Sequence, residues 1–190
     1  MSMTAAPIGL VLRKSPNATP RANLYTIAAA YATGIGKGDL VSLNTNGTIT
    51  QSAAAAEAIG VLAGVEYIDA TGKPTVSPNW PTGGVAGATS IKAYVYDDPD
   101  NIYAIQVGSG GSGFDQTILG AQSDLVAAVP TAATGLSNEY LNAAPKAAGV
   151  QGQFRVVGFD DGPYDATLNP FPVVLVQLAQ HQFIANKVSI

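Results

Sequence analysis

Three carboxylates crowd into four positions at Asp97, Asp98 and Asp100, and a second acidic group follows at Asp160, Asp161 and Asp165. Closely spaced carboxylates can supply the hard oxygen ligands that calcium requires. The first group, however, lacks the glycine and the closing acid of an EF-hand loop, and Asp and Asn around Pro99 are ordinary turn formers. Asp160-Asp161-Gly162-Pro163 reads as a turn for the same reason. Neither group makes an acid–base pair by adjacency, because neighbours on an extended strand point to opposite faces. His181 is the only histidine and cysteine is absent, so a zinc site has no ligand set. A Ser-His-Asp triad would need a nucleophile elbow, which Gly110-Gly111-Ser112-Gly113 does not complete. The run Gly108 to Gly113 is followed by no Lys-Ser or Lys-Thr and lies in no βαβ unit, which argues against a phosphate-cradling loop. His181 is expected to be structural. No catalytic residue, cofactor or metal is expected.

The aromatic residues offer binding rather than chemistry. Trp80 is the only tryptophan, set between Asn79 and Pro81 and followed by Gly83-Gly84. Such a residue anchors an interface or plugs one end of a barrel. Tyr25, Tyr31, Tyr94, Tyr96 and Tyr103 would add stacking faces for a sugar or peptide, and strand alternation places Tyr94 and Tyr96 on one face. Tyrosine is also a common strand residue for reasons of packing alone.

The segments that must position these residues read as strands. Leu40 to Leu43, the turn Asn44-Thr45-Asn46-Gly47 and Thr48 to Thr50 form a short hairpin. Ala58 to Ile68 is a second apolar run, with glycines where backbones pack closely or bend. Thr75-Val76-Ser77 is a brief strand ending at Pro78. Ser90 to Tyr96 and Ile102 to Val107 flank Asp97–Asn101 as a long hairpin. Phe154 to Phe159 is a strand, and Pro172 to Ala179 is the most β-rich run, which predicts a central strand. Ala28 to Ala32, Ala53 to Glu57 and the stretch after Ser137 could each form a helical turn, but all are too short for a stable helix. The expected class is all-β, a β-barrel or jelly-roll-like sandwich. Residues 1–38 would be an extended N-terminal arm, 39–107 the barrel core, 108–113 a Gly/Ser linker, and 114–190 a C-terminal layer completing or packing on the barrel.

Composition narrows the function. The 190 residues are 47% hydrophobic and only 12% charged, about half the usual charged share, which points to surface hidden by association. No run of 18 apolar residues predicts a membrane span, and the N-terminus lacks the basic and apolar blocks of a signal peptide. The absence of cysteine suits a reducing cytosol, or a particle assembled there. Residues 1–38 carry Arg13, Lys14, Arg21 and Lys37 and no acid, on an otherwise acidic chain of net charge −4. Four scattered cations without clustered aromatics make a poor nucleic-acid footprint, so an acidic protein neighbour is the expected partner.

Several segments, in this order, resemble the small β-barrel decoration, or cement, proteins of tailed-bacteriophage capsids. They are Gly38-Asp39-Leu40-Val41 with its hairpin, Ile59 to Val65, the Trp80 loop, Ala93 to Pro99 and Tyr103 to Gln106. After the glycine run come Gly120 to Leu125, Thr134-Gly135-Leu136-Ser137, Arg155 to Phe159, and the Val174-Leu175-Val176 strand ending at His181-Gln182-Phe183. The likeness spans residues 34–183 and brings no catalytic residues. It implies a virion protein on the outer capsid surface that clamps neighbouring major capsid protein subunits. A homotrimer at a local three-fold position is the expected assembly, with a dimer as the alternative. The expected interface residues are Ile8, Leu10, Leu12, Arg13, Lys14 and Arg21 of the arm, together with Trp80. A carbohydrate- or peptide-binding β module displayed on a particle is the alternative function.

Overall fold

Short apolar runs broken by glycine and proline cannot sustain long elements, and the chain builds many short strands. The structure is a computed structural model and describes residues 5–17, 19–108, 116–160 and 171–184. The expected linker at 109–113 and the acids Asp161 and Asp165 lie outside the described residues. In chain order the strands are β1 (Val11–Lys14), β2 (Asn23–Tyr25), β3 (Leu40–Leu43), β4 (Ile49–Gln51), β5 (Gly60–Ile68), β6 (Pro74–Ser77), β7 (Thr89–Tyr96), β8 (Ile102–Gln106), β9 (Gln122–Ser123), β10 (Leu125–Val126), β11 (Tyr140–Leu141), β12 (Phe154–Phe159) and β13 (Val173–Leu178). The protein is all-β, its sheets antiparallel and sandwich-like, and they do not close into a barrel.

The first sheet runs β1-β8-β13-β12-β9. β13 lies at its centre, paired with β8 and β12, and buries Val174, Val176 and Leu178 on one face. The second sheet runs β2-β7-β5-β3-β4. Its long strand β5 shares one edge between two neighbours: β3 pairs at Val61 and Gly60, and β6 pairs from Val65 to Ile68. A small ribbon joins β10 to β11.

The β3–β4 hairpin forms as its turn residues dictate. Gly47 adopts φ +80°, and Asn44 N–H donates to the Thr48 carbonyl at 2.8 Å. By contrast, β7 and β8 are not a hairpin. β7 pairs with β2 and β5 in the second sheet, whereas β8 pairs with β1 and β13 in the first. Asp97–Asn101 is therefore an arch that carries the chain from one sheet to the other. Alternating strands either side of a turn look alike whether they pair with each other or with strands in different sheets. The arch holds itself closed: Asp98 Oδ1 accepts from Asp100 N–H at 2.9 Å, and the Tyr103 hydroxyl donates to the Tyr96 carbonyl at 2.9 Å.

Of the expected extended arm 1–38, the described residues are extended but built into the sheets rather than reaching outward. β1 is the edge of the first sheet and β2 the edge of the second, while Leu10, Ile27 and Ile35 are buried. The prolines do keep the segment extended, but its apolar residues are used within the chain. Nor do the layers follow the division at 107, since β1 and β8 join β9, β12 and β13 in one sheet. Ala28–Ala32 and Ala53–Glu57 are turns, and the stretch after Ser137 runs extended into β11.

Two cores result. The first lies against the first sheet, with Tyr103, Ile105, Phe154, Val174 and Val176 packed on Leu40 and Val61. The second covers the other face of the second sheet, where Val41, Leu62, Val65, Ala93 and Val95 pack beneath Ile27, Ile35 and Trp80. Both faces of the second sheet are thus apolar at β3 and β5.

Short strands leave backbone groups with no strand beside them, and buried side-chain amides fill the gaps. Beyond the end of the β3–β5 pairing, the Gln182 side chain accepts from Leu43 N–H at 2.7 Å and donates to its carbonyl at 2.9 Å. Gln153 accepts from Leu125 N–H and donates to the carbonyls of Ala53 and Ala56. Gln182→Ala would leave both Leu43 groups without this partner and is expected to cost about 1–3 kcal/mol, read as a lower urea midpoint at unchanged slope.

Candidate functional site

The seven expected interface residues do not form one surface. Ile8 is 53% exposed, and Lys14 and Arg21 are exposed, but Leu10 is buried and Leu12 packs half-buried against the first core. Trp80 is fully buried and is no surface anchor. Its backbone bridges Ile35, its indole N–H donates to the Tyr31 carbonyl at 2.8 Å, and its ring meets Tyr67 edge-on at 5.6 Å. Arg13 is engaged internally: its guanidinium donates to both carboxylate oxygens of Asp160, at 3.1 and 2.6 Å.

The other chemistry-bearing residues also serve the fold. Asp97 accepts from the Asn23 amide and from the Tyr25 hydroxyl at 2.6 Å, tying β2 to the arch. Burial first, and then this carboxylate, push the Tyr25 hydroxyl pKa well up. Asp98 accepts from Asn17, and Asp100 from Gln177. His181 is buried, with Nδ1 accepting from Phe183 N–H at 3.1 Å and Nε2 lying 3.0 Å from the Asp97 carbonyl. Those two contacts suit the neutral tautomer that carries its proton on Nε2.

A groove emerges where the first sheet stops short of the second. β5 carries a bulge between Leu62 and Gly64, so Ala63 is an extra residue opposite β7. On one side of this strand pair, Val61 and Tyr96 meet the first core. Further along the same face, Gly64 and Tyr94 have no sheet above them. Ala63, Gly64, Tyr94, Tyr96 and Val76 line a shallow cavity of about 460 Å³. It continues past Lys37 into a second of about 310 Å³, walled by Ile8, Leu12 and Leu136. At the outer end, Glu66 accepts from Lys92 at 3.2 Å and from the Tyr94 hydroxyl at 2.9 Å. These two bonds hold the carboxyl of Glu66 below its usual range, the tyrosine acting most.

A second cluster lies beneath the far wall. Asp39 and Glu139 are both fully buried, and the Gln51 amide nitrogen sits 3.1 Å from Asp39 Oδ2 and 3.0 Å from Glu139 Oε1. Gly36 N–H donates to Asp39 Oδ2 at 2.7 Å, and Leu40 N–H donates to Glu139 Oε2 at 2.8 Å. Asp39 Oδ1 has no hydrogen bond of good geometry, although the Ser137 hydroxyl lies close. Burial pushes Asp39 up to about 6. Burial, then the charge of Asp39, hold Glu139 well above the usual range. With no exposed surface, the pair cannot meet a substrate as catalytic carboxylates do.

The chain matches no known family model, no curated protein and no solved structure.

Sequence reasoning named Ile8, Leu10 and Leu12, which line one end of the groove, but not the groove itself, and it missed the buried acid pair. The only clue to the groove was the glycine pattern of β5, where a Cβ on Gly60 would strike the Tyr96 carbonyl oxygen. Asp39 and Glu139 lie 100 residues apart and look like ordinary strand-end acids. The two kinds of expected interface residue separate by stability. Trp80→Ala is expected to cost about 3–5 kcal/mol by emptying a core, and Arg13→Ala no more than about 1 kcal/mol for a half-exposed ion pair. Chemical denaturation of the two variants checks this contrast.

Proposed function

We propose that this chain acts by docking rather than by catalysis, as a structural virion protein. It binds the outer surface of a tailed-bacteriophage capsid and joins neighbouring major capsid protein subunits. The observation that carries this reading is the uncovered apolar face of the second sheet, continuous from Val76 through Ala63 to Ile8 and Leu136. An open apolar face with a polar end at Lys92 and Glu66 has the anatomy of a protein interface, an apolar centre with a charged rim. Lys37 lies between the two halves of the groove, and exposed Lys14 and Arg21 elsewhere on the surface would add to steering toward an acidic neighbour. Arg13, spent on Asp160, would not.

A shell filled with DNA pushes outward, and a clamp resists by burying surface across subunit boundaries. A stable interface of this kind buries about 1,600 Å² in total, more than the groove alone supplies, so self-association fits the same picture. A homotrimer at a local three-fold position would set three grooves against the shell and gain avidity from each. The carbohydrate-binding alternative needs free aromatic faces. Trp80 and Tyr103 are buried, and the hydroxyls of Tyr25 and Tyr31 are engaged by Asp97 and Gln51 N–H, which leaves that alternative only half-buried Tyr94 and Tyr96 on the groove, with the Tyr94 hydroxyl tied to Glu66.

Ala63→Glu places a charge on the groove floor without touching either core. It is expected to weaken co-sedimentation with isolated capsid shells roughly tenfold or more while the melting curve stays near that of the unaltered protein. Undiminished binding of the variant would overturn the groove as the docking face. An unaltered protein that does not bind shells would overturn the capsid reading itself.

A further inference from the structure

The Asp39–Glu139 pair sits where one segment of the chain is fastened down. Residues 128–139 form a strap across the edge of the second sheet. Several of its attachments lie beside the pair: Lys37 N–H donates to the Gly135 carbonyl at 2.9 Å, and Ser137 N–H to the Lys37 carbonyl at 3.0 Å. The Gln51 amide donates to the Ala128 carbonyl at 2.9 Å, and Leu40 N–H to Glu139. Two buried carboxyls sharing one amide donor cannot both be ionised cheaply, because each loses hydration and repels the other. The usual remedy is a buried cation. Among the described residues neither carboxyl has an ion-pair partner.

The groups facing the pair are few. From the 36–40 segment come the amides of Gly36 and Leu40, with the Lys37 side chain exposed to solvent. From β4 comes Gln51, whose own backbone N–H donates to the Tyr31 hydroxyl. From the strap comes Ser137, whose hydroxyl accepts from Glu139 N–H at 3.0 Å. None of these brings a positive charge to the pair, so the compensating charge left is a proton.

We propose that Asp39 and Glu139 form a proton-held latch: while the pair keeps a proton, the strap 128–139 stays fastened to β3, and losing that proton frees it. Both carboxyls are held above their ordinary range, Asp39 at about 6 and Glu139 well above its usual value. The sign follows from that direction. A carboxyl raised on folding stabilises fully in acid, below its unfolded pKa, and that stability is lost as pH rises through the folded value. The latch is tight in acid and loosens on the alkaline side of about pH 6. Leu136 of the strap is one wall of the groove, so release would reshape the docking face.

Amide hydrogen exchange of the full chain tests this without any partner, so its outcome is independent of whether the groove binds a capsid. The reporters are the amides of Lys37, Leu40 and Ser137, compared with Val176 at the centre of the first sheet. After division by the intrinsic rate, protection at the three reporters is expected to fall as the pH rises above about 6, by up to tenfold per pH unit, while Val176 holds. Asp39→Asn keeps an acceptor for Gly36 and Gln51 and removes one charge, and it is expected to flatten that fall. Equal pH slopes in the unaltered protein and in Asp39→Asn would overturn the latch. So would reporters that track Val176 at every pH. Should the variant fail to fold, the carboxyl carbon-13 shift of Glu139 in the unaltered protein decides. Titration well above the ordinary carboxylate range supports the latch, and titration within that range overturns it.

Discussion

Every buried backbone amide and carbonyl must find a partner, and in a chain of very short strands this constraint shapes the whole molecule. Strands of two to nine residues end before their neighbours do. The exposed ladder positions are then closed by side chains from distant segments. Gln182 reaches Leu43, Gln153 reaches Leu125, Ala53 and Ala56, and Gln122 accepts from Gly152 N–H. A glutamine amide both donates and accepts, so it imitates a missing strand residue. It also carries no charge, which suits an interior where a charge would cost far more. The low charged share of the chain and its reliance on amides are two sides of one solution.

The same constraint explains the arch and the double-faced sheet. Crossing at Asp97–Asn101 lets consecutive strands serve different sheets, so the backbone of β7 and that of β8 are each paired on both sides. The consequence is a second sheet apolar on both faces. One face is closed by Trp80, Ile27 and Ile35. The other is closed only where Leu40 and Val61 meet the first sheet. The remaining stretch, shifted by the bulge at Ala63, is left as the groove. An exposed apolar face on an otherwise well-packed sandwich is the physical basis for reading the protein as a docking element.

Among the described residues, the Asp39–Glu139 pair brings two acids into the interior with no cation beside them. Its amide partners satisfy three of the four carboxylate oxygens, and Asp39 Oδ1 is left over. A network one bond short in a low-dielectric setting responds to a single proton. Its position under the strap connects that response to a wall of the groove.

The sequence by itself determined the local structure. Glycine and proline spacing set the strand lengths, Asn44 to Gly47 set the β3–β4 hairpin, and the Val173–Leu178 run was apolar enough to demand the centre of a sheet. It also pointed to a turn at the aspartates around Pro99 and to a structural role for His181, whose ring is buried and hydrogen-bonded to backbone. Tertiary structure alone decided which strands pair. An alternating strand records which residues face a core but not which strand lies beside it, so the arch read as a hairpin and residues 1–38 as an extended reaching arm. Trp80 as a plug or an anchor was likewise undecidable from its neighbours, since burial depends on Ile35 and Tyr67 arriving from elsewhere. The groove and the Asp39–Glu139 pair are long-range objects of the same kind. Their residues acquire meaning only when a bulge, an uncovered face and a strap bring them together.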